Sequence, residues 1–501
     1  MFKFAQCVDY LKKHLYLIGI DSAPLWLIKE LTEKGSLKGF QKILNYGSLI
    51  EMDTTMPPMT GAAWPTIYTG KNPSVHGVPD FFEMKSDYTP DLAFYNAEKT
   101  PPFWKELCNK GLNSLVITPA MDTNVPSYKN LDFISGFPLK AKPNSEFIEL
   151  LMKKENFTGE PDIEKDMKAG KMTEKEAVTH FVKSIVSRSK IAKEAMEKKK
   201  YNFVYVCFTE TDRLQHFVLN MKDYSEYLLP IYKAIDNFIQ LCIERAEKEN
   251  GVVMLVSDHG AQPIKEKLLI NSWLVKNNFA TLNDSILKSI SMSSTQNEKA
   301  PLSYSIREKA MKTGLRKVYD KLPHSAKKVV HKSVGKVLSS ASSGEYTRLH
   351  LFDYNMDKTV AFAGISNINV ATIFINDNRF KNGIVKSNEI NKIKLSLSKS
   401  FAQITDKNGK KIIKGIYDAT KYYTTKPSFI APDLFVEAMP GYSIDIFNFS
   451  KTTNFMNPEP PKRGDHTRMA IFGVYAPKEK TKLSSIKITG IANLILKYFS
   501  Q

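Results

Sequence analysis

Cysteine is scarce in this chain, acidic residues are outnumbered, and long apolar runs are missing. The four cysteines, Cys7, Cys108, Cys207 and Cys242, lie far apart and form no C-x-x-C pair. That spacing argues against a disulfide framework and for a reducing compartment. Residues 1–10 show neither a sustained apolar region nor a cleavage site, so no signal peptide is read there. No stretch approaches the roughly 20 apolar residues needed to cross a bilayer. No internal repeat is visible. These absences lead us to expect a soluble, cytoplasmic protein with no transmembrane segment.

What is present is enough for a large core: 501 residues, 42% of them hydrophobic and 11% aromatic. Lysine and arginine number 71 against 52 acidic residues, a formal charge of +19. Such a balance favours anionic partners such as phosphorylated small molecules, nucleic acid or acidic membrane surfaces. The lysines are spread over most of the chain, which fits an ordinary solvated surface equally well.

Three short apolar runs each lead into an acidic residue. Residues 16–20 (YLIGI) end at Asp21, Phe203–Phe208 (FVYVCF) leads to Asp212 and His216, and Val252–Val256 (VVMLV) leads to Asp258 and His259. Runs of this kind read as central strands of a parallel sheet, whose carboxyl ends are where such sheets place ligands. Helical patterns alternate with them, at residues 24–34 with Gly35 just past the end, and at 229–250 with Pro230 in the first turn. The rhythm predicts an α/β fold: a doubly wound, mostly parallel central sheet with helices on both faces. Residues 275–350 break it, with a Ser-rich stretch at 285–295 and a basic, helical pattern at 306–340. Shorter strands at 359–362 and Val370–Ile375 read as part of an insertion, before Met469–Tyr475 rejoins the sheet. The expected division is therefore 1–275 for the catalytic core, 276–460 for an inserted cap or lid, and 461–501 for the return to the core.

Asp212 and His216 are four apart, so on a helix they share a face and can ligate one ion. Asp258 and His259, in the turn after a strand, can face one cavity. Mixed Asp/His ligation suits zinc, with manganese or iron as alternatives. Each pair also has an ordinary reading, a surface salt bridge for the first and a capped turn for Ser257-Asp258-His259-Gly260. Residues 56–80 form a rigid Pro- and Gly-rich loop with a short helical stretch around 62–68, opened by Thr60. The Thr60 hydroxyl could cap that helix or act as a nucleophile; the residues alone leave both open.

In order along the chain, Gly19-Ile20-Asp21, PPMTGAAWPTIYTGKNPSVHG (57–77), TDRLQH (211–216), SDHG (257–260) and GDH (464–466) resemble the alkaline phosphatase superfamily. Within it they are most similar to the type I phosphodiesterase/nucleotide pyrophosphatase group. The resemblance covers 15–80 and 200–280 firmly, 350–376 and 460–476 loosely, and 280–350 not at all. It implies a centre of two divalent ions, one held by Asp212, His216 and His466. Asp21, Asp258 and His259 would hold the other, which also contacts the Thr60 oxygen. It further implies that Thr60 attacks phosphorus and forms a covalent phospho- or nucleotidyl-threonine that water then hydrolyses. His76 is left out, as a residue that shapes the turn at Gly77.

Departures bear on the substrate. The pyrophosphatase group carries an asparagine four residues after the His-Gly that closes this loop, where Phe81 stands here. With Trp64 close in sequence, the surface reads as more apolar, and the Gly61 amide is left as the oxyanion contact. After Thr60 there is no x-Pro-x-Arg, which disfavours sulfate-ester chemistry. The expectation is a metal-dependent phosphoric-ester hydrolase, on diesters or pyrophosphate bonds rather than simple monoesters. Its partner would be a phosphorylated small molecule, with a nucleotide as the leading candidate and no specific nucleic-acid binding. The alternatives are a phosphomonoesterase or phosphotransferase with the same centre, or an inactive protein that docks anions or membrane surfaces through 300–340. Oligomeric state is not legible.

Overall fold

Strands that are apolar at every position need cover on both faces, and the central sheet supplies it. The computed structural model describes residues 13–286 and 347–500, except Ser36, 349–350, Ile365, 459–461, Lys480 and Lys482. In chain order we name β1 (Leu15–Ile20), α1 (Leu25–Gly35), β2 (Ser48–Asp53), α2 (Thr60–Thr69), β3 (Ser114–Ile117), β4 (Leu131–Ile134), α3 (Glu174–Lys198), β5 (Phe203–Phe208), α4 (Glu210–Val218), α5 (Tyr224–Glu249), β6 (Val252–Val256) and β7 (Gly260–Pro263). They are followed by β8 (Ala361–Ala363), β9 (Val370–Ile375), β10 (Ile413–Asp418), β11 (Leu434–Ala438), β12 (Gly464–Thr467) and β13 (Met469–Tyr475).

The central sheet has seven strands in the order β2-β13-β6-β1-β5-β3-β4. β6, β1, β5, β3 and β4 run parallel, and β13 runs antiparallel between β6 and β2. Along β5, Val204, Val206 and Phe208 pack on one side with α1, α3 and α5. Phe203, Tyr205 and Cys207 pack on the other with Trp64, Tyr68 and Trp104. The period-two alternation thus feeds two apolar layers, the doubly wound arrangement expected from the sequence.

Two helices differ from expectation: α1 takes in Gly35 as its last residue, where the sequence placed that glycine just past the end. α5 starts at Tyr224, not at 229, so Pro230 falls in its second turn. A proline there forfeits one hydrogen bond to Glu226. The face made by Leu228, Ile231, Tyr232 and Ile235 stays buried through it, so burial outweighs that loss.

A second sheet, β8-β9-β11-β10, is wholly antiparallel and has its own apolar core around Phe362, Ile373, Phe374 and Val436. Tyr417, Tyr422, Tyr423 and Phe435 from this region pack with Met56, Met59 and Phe81 of the loop that carries Thr60. The basic pattern expected at 306–340 lies outside the described residues. Among the described residues, no helix is long and apolar enough to cross a membrane.

Candidate active site

Asp21, Asp212 and Asp258 follow β1, β5 and β6, three adjacent parallel strands, so they emerge at one carboxyl edge. Asp21 and Asp258 are within 1% of full burial. Asp212 and His216 share one face of α4, a helix that starts two residues after β5 ends. His466 arrives from far along the chain on β12, which pairs antiparallel with β7 so that His466 stands opposite Ala261, two residues after His259.

The three imidazoles are oriented alike. Nδ1 of His216 lies 2.9 Å from the Gly464 carbonyl, Nδ1 of His466 2.9 Å from the Pro58 carbonyl, and Nδ1 of His259 3.1 Å from the Gly260 carbonyl. A carbonyl only accepts, so each Nδ1 carries the proton and each Nε2 offers a lone pair. Those Nε2 atoms converge. His466 Nε2 is 3.2 Å from His216 Nε2 and 3.3 Å from Asp212 Oδ1, and His216 Nε2 is 3.4 Å from Asp212 Oδ2. His259 Nε2 is 3.2 Å from Asp258 Oδ2 and 3.6 Å from Asp21 Oδ1.

All six residues that the sequence singled out as ligands therefore meet. Ligand atoms of Asp21, Asp258 and His259 lie within 4.8 Å of one another, and so do those of Asp212, His259 and His466. His259 is thus shared between the two groups, where the sequence-based division gave it to one.

Thr60 is the first residue of α2 rather than its cap. The N-cap is Met59, in extended conformation and without a side-chain cap bond. Freed from capping, the Thr60 hydroxyl lies 3.2 Å from His259 Nε2. Gly61 is required by close approach: a Cβ there would sit 2.7 Å from the Asp80 carbonyl carbon and 2.8 Å from the Phe81 nitrogen.

The electrostatics are those of a site short of positive charge. Burial, and then the Asp258 and Asp212 carboxylates, push Asp21 well above the usual carboxylate range. Burial also raises Asp258. Burial works against the Asp212 charge too, but positive charge on the His216 and His466 rings outweighs it and holds that carboxyl low, a role that passes to a bound cation when both Nε2 lone pairs are free. Asp21 Oδ1, Asp212 Oδ1 and Asp258 Oδ2 are buried and accept no hydrogen bond. Three orphaned carboxylate oxygens facing three imidazole lone pairs are a donor set that fits divalent cations.

Supporting contacts come from residues packed around the ligands. Gly19 leaves room for the Trp64 ring, 2.9 Å from where its Cβ would be, and Trp64 Nε1 donates to Asp21 Oδ2 at 3.0 Å. Trp64 is fully buried, so it is a prop beneath Asp21 and not part of an apolar substrate surface as its sequence position suggested. The Ser22 amide donates to Asp258 Oδ1 at 3.1 Å, and the Thr54 and Thr211 hydroxyls donate to the Asp258 and Asp21 carbonyls. Phe81 is half-buried, its ring edge-on to Phe137 at 6.1 Å. His76 stays outside the cluster: its Nε2 is 3.0 Å from Thr66 Oγ1 and its Nδ1 accepts from the Val78 amide, so it shapes the turn as expected.

The chain's fold has known counterparts. Phosphonoacetate hydrolase from Sinorhizobium meliloti 1021, solved in complex with phosphonoacetate, superposes with a TM-score of 0.52 at 10% identity, over 97% of this chain and 96% of that one. An inactive variant of murine ectonucleotide pyrophosphatase/phosphodiesterase 5, in complex with AMP, gives 0.50 at 11% identity, over 97% and 95%. Identities this low bear on the fold alone. No curated protein sequence matches the chain. The family model described as "Type I phosphodiesterase / nucleotide pyrophosphatase" does, over residues 15–445, a span that takes in Thr60 and every proposed ligand except His466. The chain belongs to the type I phosphodiesterase/nucleotide pyrophosphatase family, a family of phosphoester hydrolases.

Proposed function

We propose that this protein hydrolyses phosphoric diesters or pyrophosphate bonds at a two-cation centre, with Thr60 as the nucleophile. The observation that carries the reading is the set of three orphaned carboxylate oxygens, buried opposite three inward-facing Nε2 atoms. Asp212, His216 and His466 would hold one divalent ion, and Asp21, Asp258 and His259 the other, with His259 close enough to serve either. Zinc suits the donor set best, and manganese or iron would also fit. Bound there, such ions supply the positive charge that acidifies a hydroxyl and neutralises a departing oxygen.

The protein's own residues do the rest. Thr60 presents its hydroxyl at the start of α2, where the Gly61 amide can donate to a phosphoryl oxygen. Attack forms a Thr60 Oγ1–phosphorus bond as the bond to the leaving oxygen breaks. Water then attacks the same phosphorus, the Thr60 Oγ1–phosphorus bond breaks, and the phosphate product leaves as the hydroxyl is regenerated. Phe81 offers no hydrogen bond where the related pyrophosphatases place an amide, so the Gly61 donor carries more of that task. The antiparallel region around β8–β11 serves as a cap, because its aromatic residues pack on the Thr60 loop. The substrate is a small phosphorylated molecule, a nucleotide being the leading candidate.

The test is turnover of bis-p-nitrophenyl phosphate against p-nitrophenyl phosphate, with zinc or manganese present. We expect the diester to be preferred, and both Thr60→Ala and Asp258→Ala to abolish its hydrolysis. A Thr60→Ala protein that still turns over would rule out the covalent route. A monoester preference would move the assignment to a phosphomonoesterase.

A further inference from the structure

Behind α4, on the side away from the metal ligands, lies a cluster of buried charges that the reaction does not use. Arg188 on α3 is completely buried, and so is its partner Glu210, the first residue of α4. Arg188 Nη2 donates to Glu210 Oε1, while Nη1 donates to Cys207 O at 2.6 Å, Thr118 Oγ1 at 3.1 Å and Glu160 Oε1 at 3.2 Å. Glu160 accepts from the Thr209 hydroxyl and faces Arg213 Nη1 at 3.6 Å. Arg213 in turn donates to both Glu164 oxygens and to the Pro161 carbonyl. Glu210, Thr209 and Arg213 are thus all fixed, and Asp212 stands among them.

Such a network is a poor source of stability, since desolvating two guanidinium and three carboxylate groups offsets much of their attraction. What it supplies is direction. α4 spans only nine residues and has no side-chain N-cap bond, so its own hydrogen bonds fix its orientation weakly. The end of β5 is equally short of partners, because Pro119 has no N–H to offer the Cys207 carbonyl, and Arg188 and the Thr118 hydroxyl take that place. On the opposite face, Gln215 donates to the Ser22 carbonyl and Thr211 to the Asp21 carbonyl. α4 is therefore clamped on both sides, and a turn about its axis would carry Asp212 and His216 away from His466.

We propose that Arg188 and Glu210 are positioning residues for the cation held by Asp212, His216 and His466. They act by fixing the strand-to-helix turn at 207–213. The proposal rests on the two-cation reading above. Removing one charge alone would strand its partner, so the variant to make is Arg188→Met with Glu210→Gln, which leaves the net charge of the cluster unchanged. Arg188→Lys is the milder companion, keeping the charge but losing the fork that reaches Glu160, Glu210 and Cys207 together. Zinc and manganese binding to the full-length protein is measured by calorimetry, with folding followed by circular dichroism. Lys198→Ala, on the exposed side of the same helix, is the control.

We expect the wild type and the control to bind two equivalents. The folded variants should keep one at wild-type affinity and bind the other about 10- to 100-fold more weakly, with kcat lowered more than KM. Folded variants that bind both equivalents like the wild type would overturn the positioning role and leave the metal centre standing. A wild type that binds neither cation would overturn the two-cation reading itself, and this inference with it. Should the double variant fail to fold, Arg188→Lys decides the question on the same readout.

Discussion

His466 shows how a single side chain divides its labour. Its Nδ1 donates to the Pro58 carbonyl while its Nε2 enters the cluster. An asparagine amide can replace the first function but not the second, being too short to reach Asp212. We therefore expect His466→Asn to lose one cation while the cation-free protein stays within about 1–2 kcal/mol of wild type. Metal content and thermal unfolding check the two halves separately. Asp122 lies apart from the cluster and makes a different point. Burial pushes its carboxyl up to about 7, and its Oδ1 is buried without a hydrogen-bond partner. A carboxyl raised in the fold holds its proton there after the unfolded chain has released it, so stability falls as pH rises from the ordinary carboxylate range through 7. Between pH 5 and 7 this amounts to about 2–3 kcal/mol, and Asp122→Asn should remove it. Urea unfolding of both proteins across that interval is the measurement. A wild-type slope that survives the substitution would assign the dependence elsewhere.

α2 is where an element imposes geometry on chemistry. Its first turn lies against the Asp80–Phe81 peptide, with no room for a methyl group at Gly61. We expect Gly61→Ala to cost about 1–3 kcal/mol as that peptide is pushed back. The diesterase rate should fall further than this stability loss explains, because Thr60 moves with the helix end; comparing kcat with the urea midpoint separates the two. The same element marks the limit of the sequence. Its loop residues and Thr60 were legible, but capping and nucleophilic roles stayed open, because the choice depends on His259, 199 residues away. The strands before Asp21, Asp212 and Asp258 could be read for a physical reason. A central parallel strand is apolar on both faces, and the site lies where that pattern stops. His466 carries no such mark. It comes in on a short antiparallel ribbon pairing β7 with β12, a contact of high sequence separation, and only the resemblance of Gly464-Asp465-His466 to a family motif pointed to it. Arg188 and Glu160 were illegible for the same reason, sitting among many Lys, Arg and Glu residues that face solvent.

At the scale of the whole molecule, the site draws its side chains from both ends of the chain. Asp21 lies before the first helix and His466 beyond the second sheet, 445 residues later, so two cations whose ligand groups share His259 would tie both ends of the chain to one centre. A group that binds the folded state and not the unfolded one adds stability of RT ln(1 + [L]/Kd) for each site. At a free cation concentration of about 100 times Kd this is about 2.7 kcal/mol per site. The cation-free protein must instead keep three carboxylates together in a buried space, two of them raised by that burial. Chelation should therefore lower the unfolding midpoint, and added zinc or manganese should restore it, rising with the logarithm of cation concentration. Asp212→Asn should flatten that response by removing one ligand set while leaving Asp21, Asp258 and His259 intact. A midpoint indifferent to chelator and cation alike would mean that the six side chains meet for some purpose other than holding metal. The diesterase reading would then lose its footing, though the family and the fold would be unaffected.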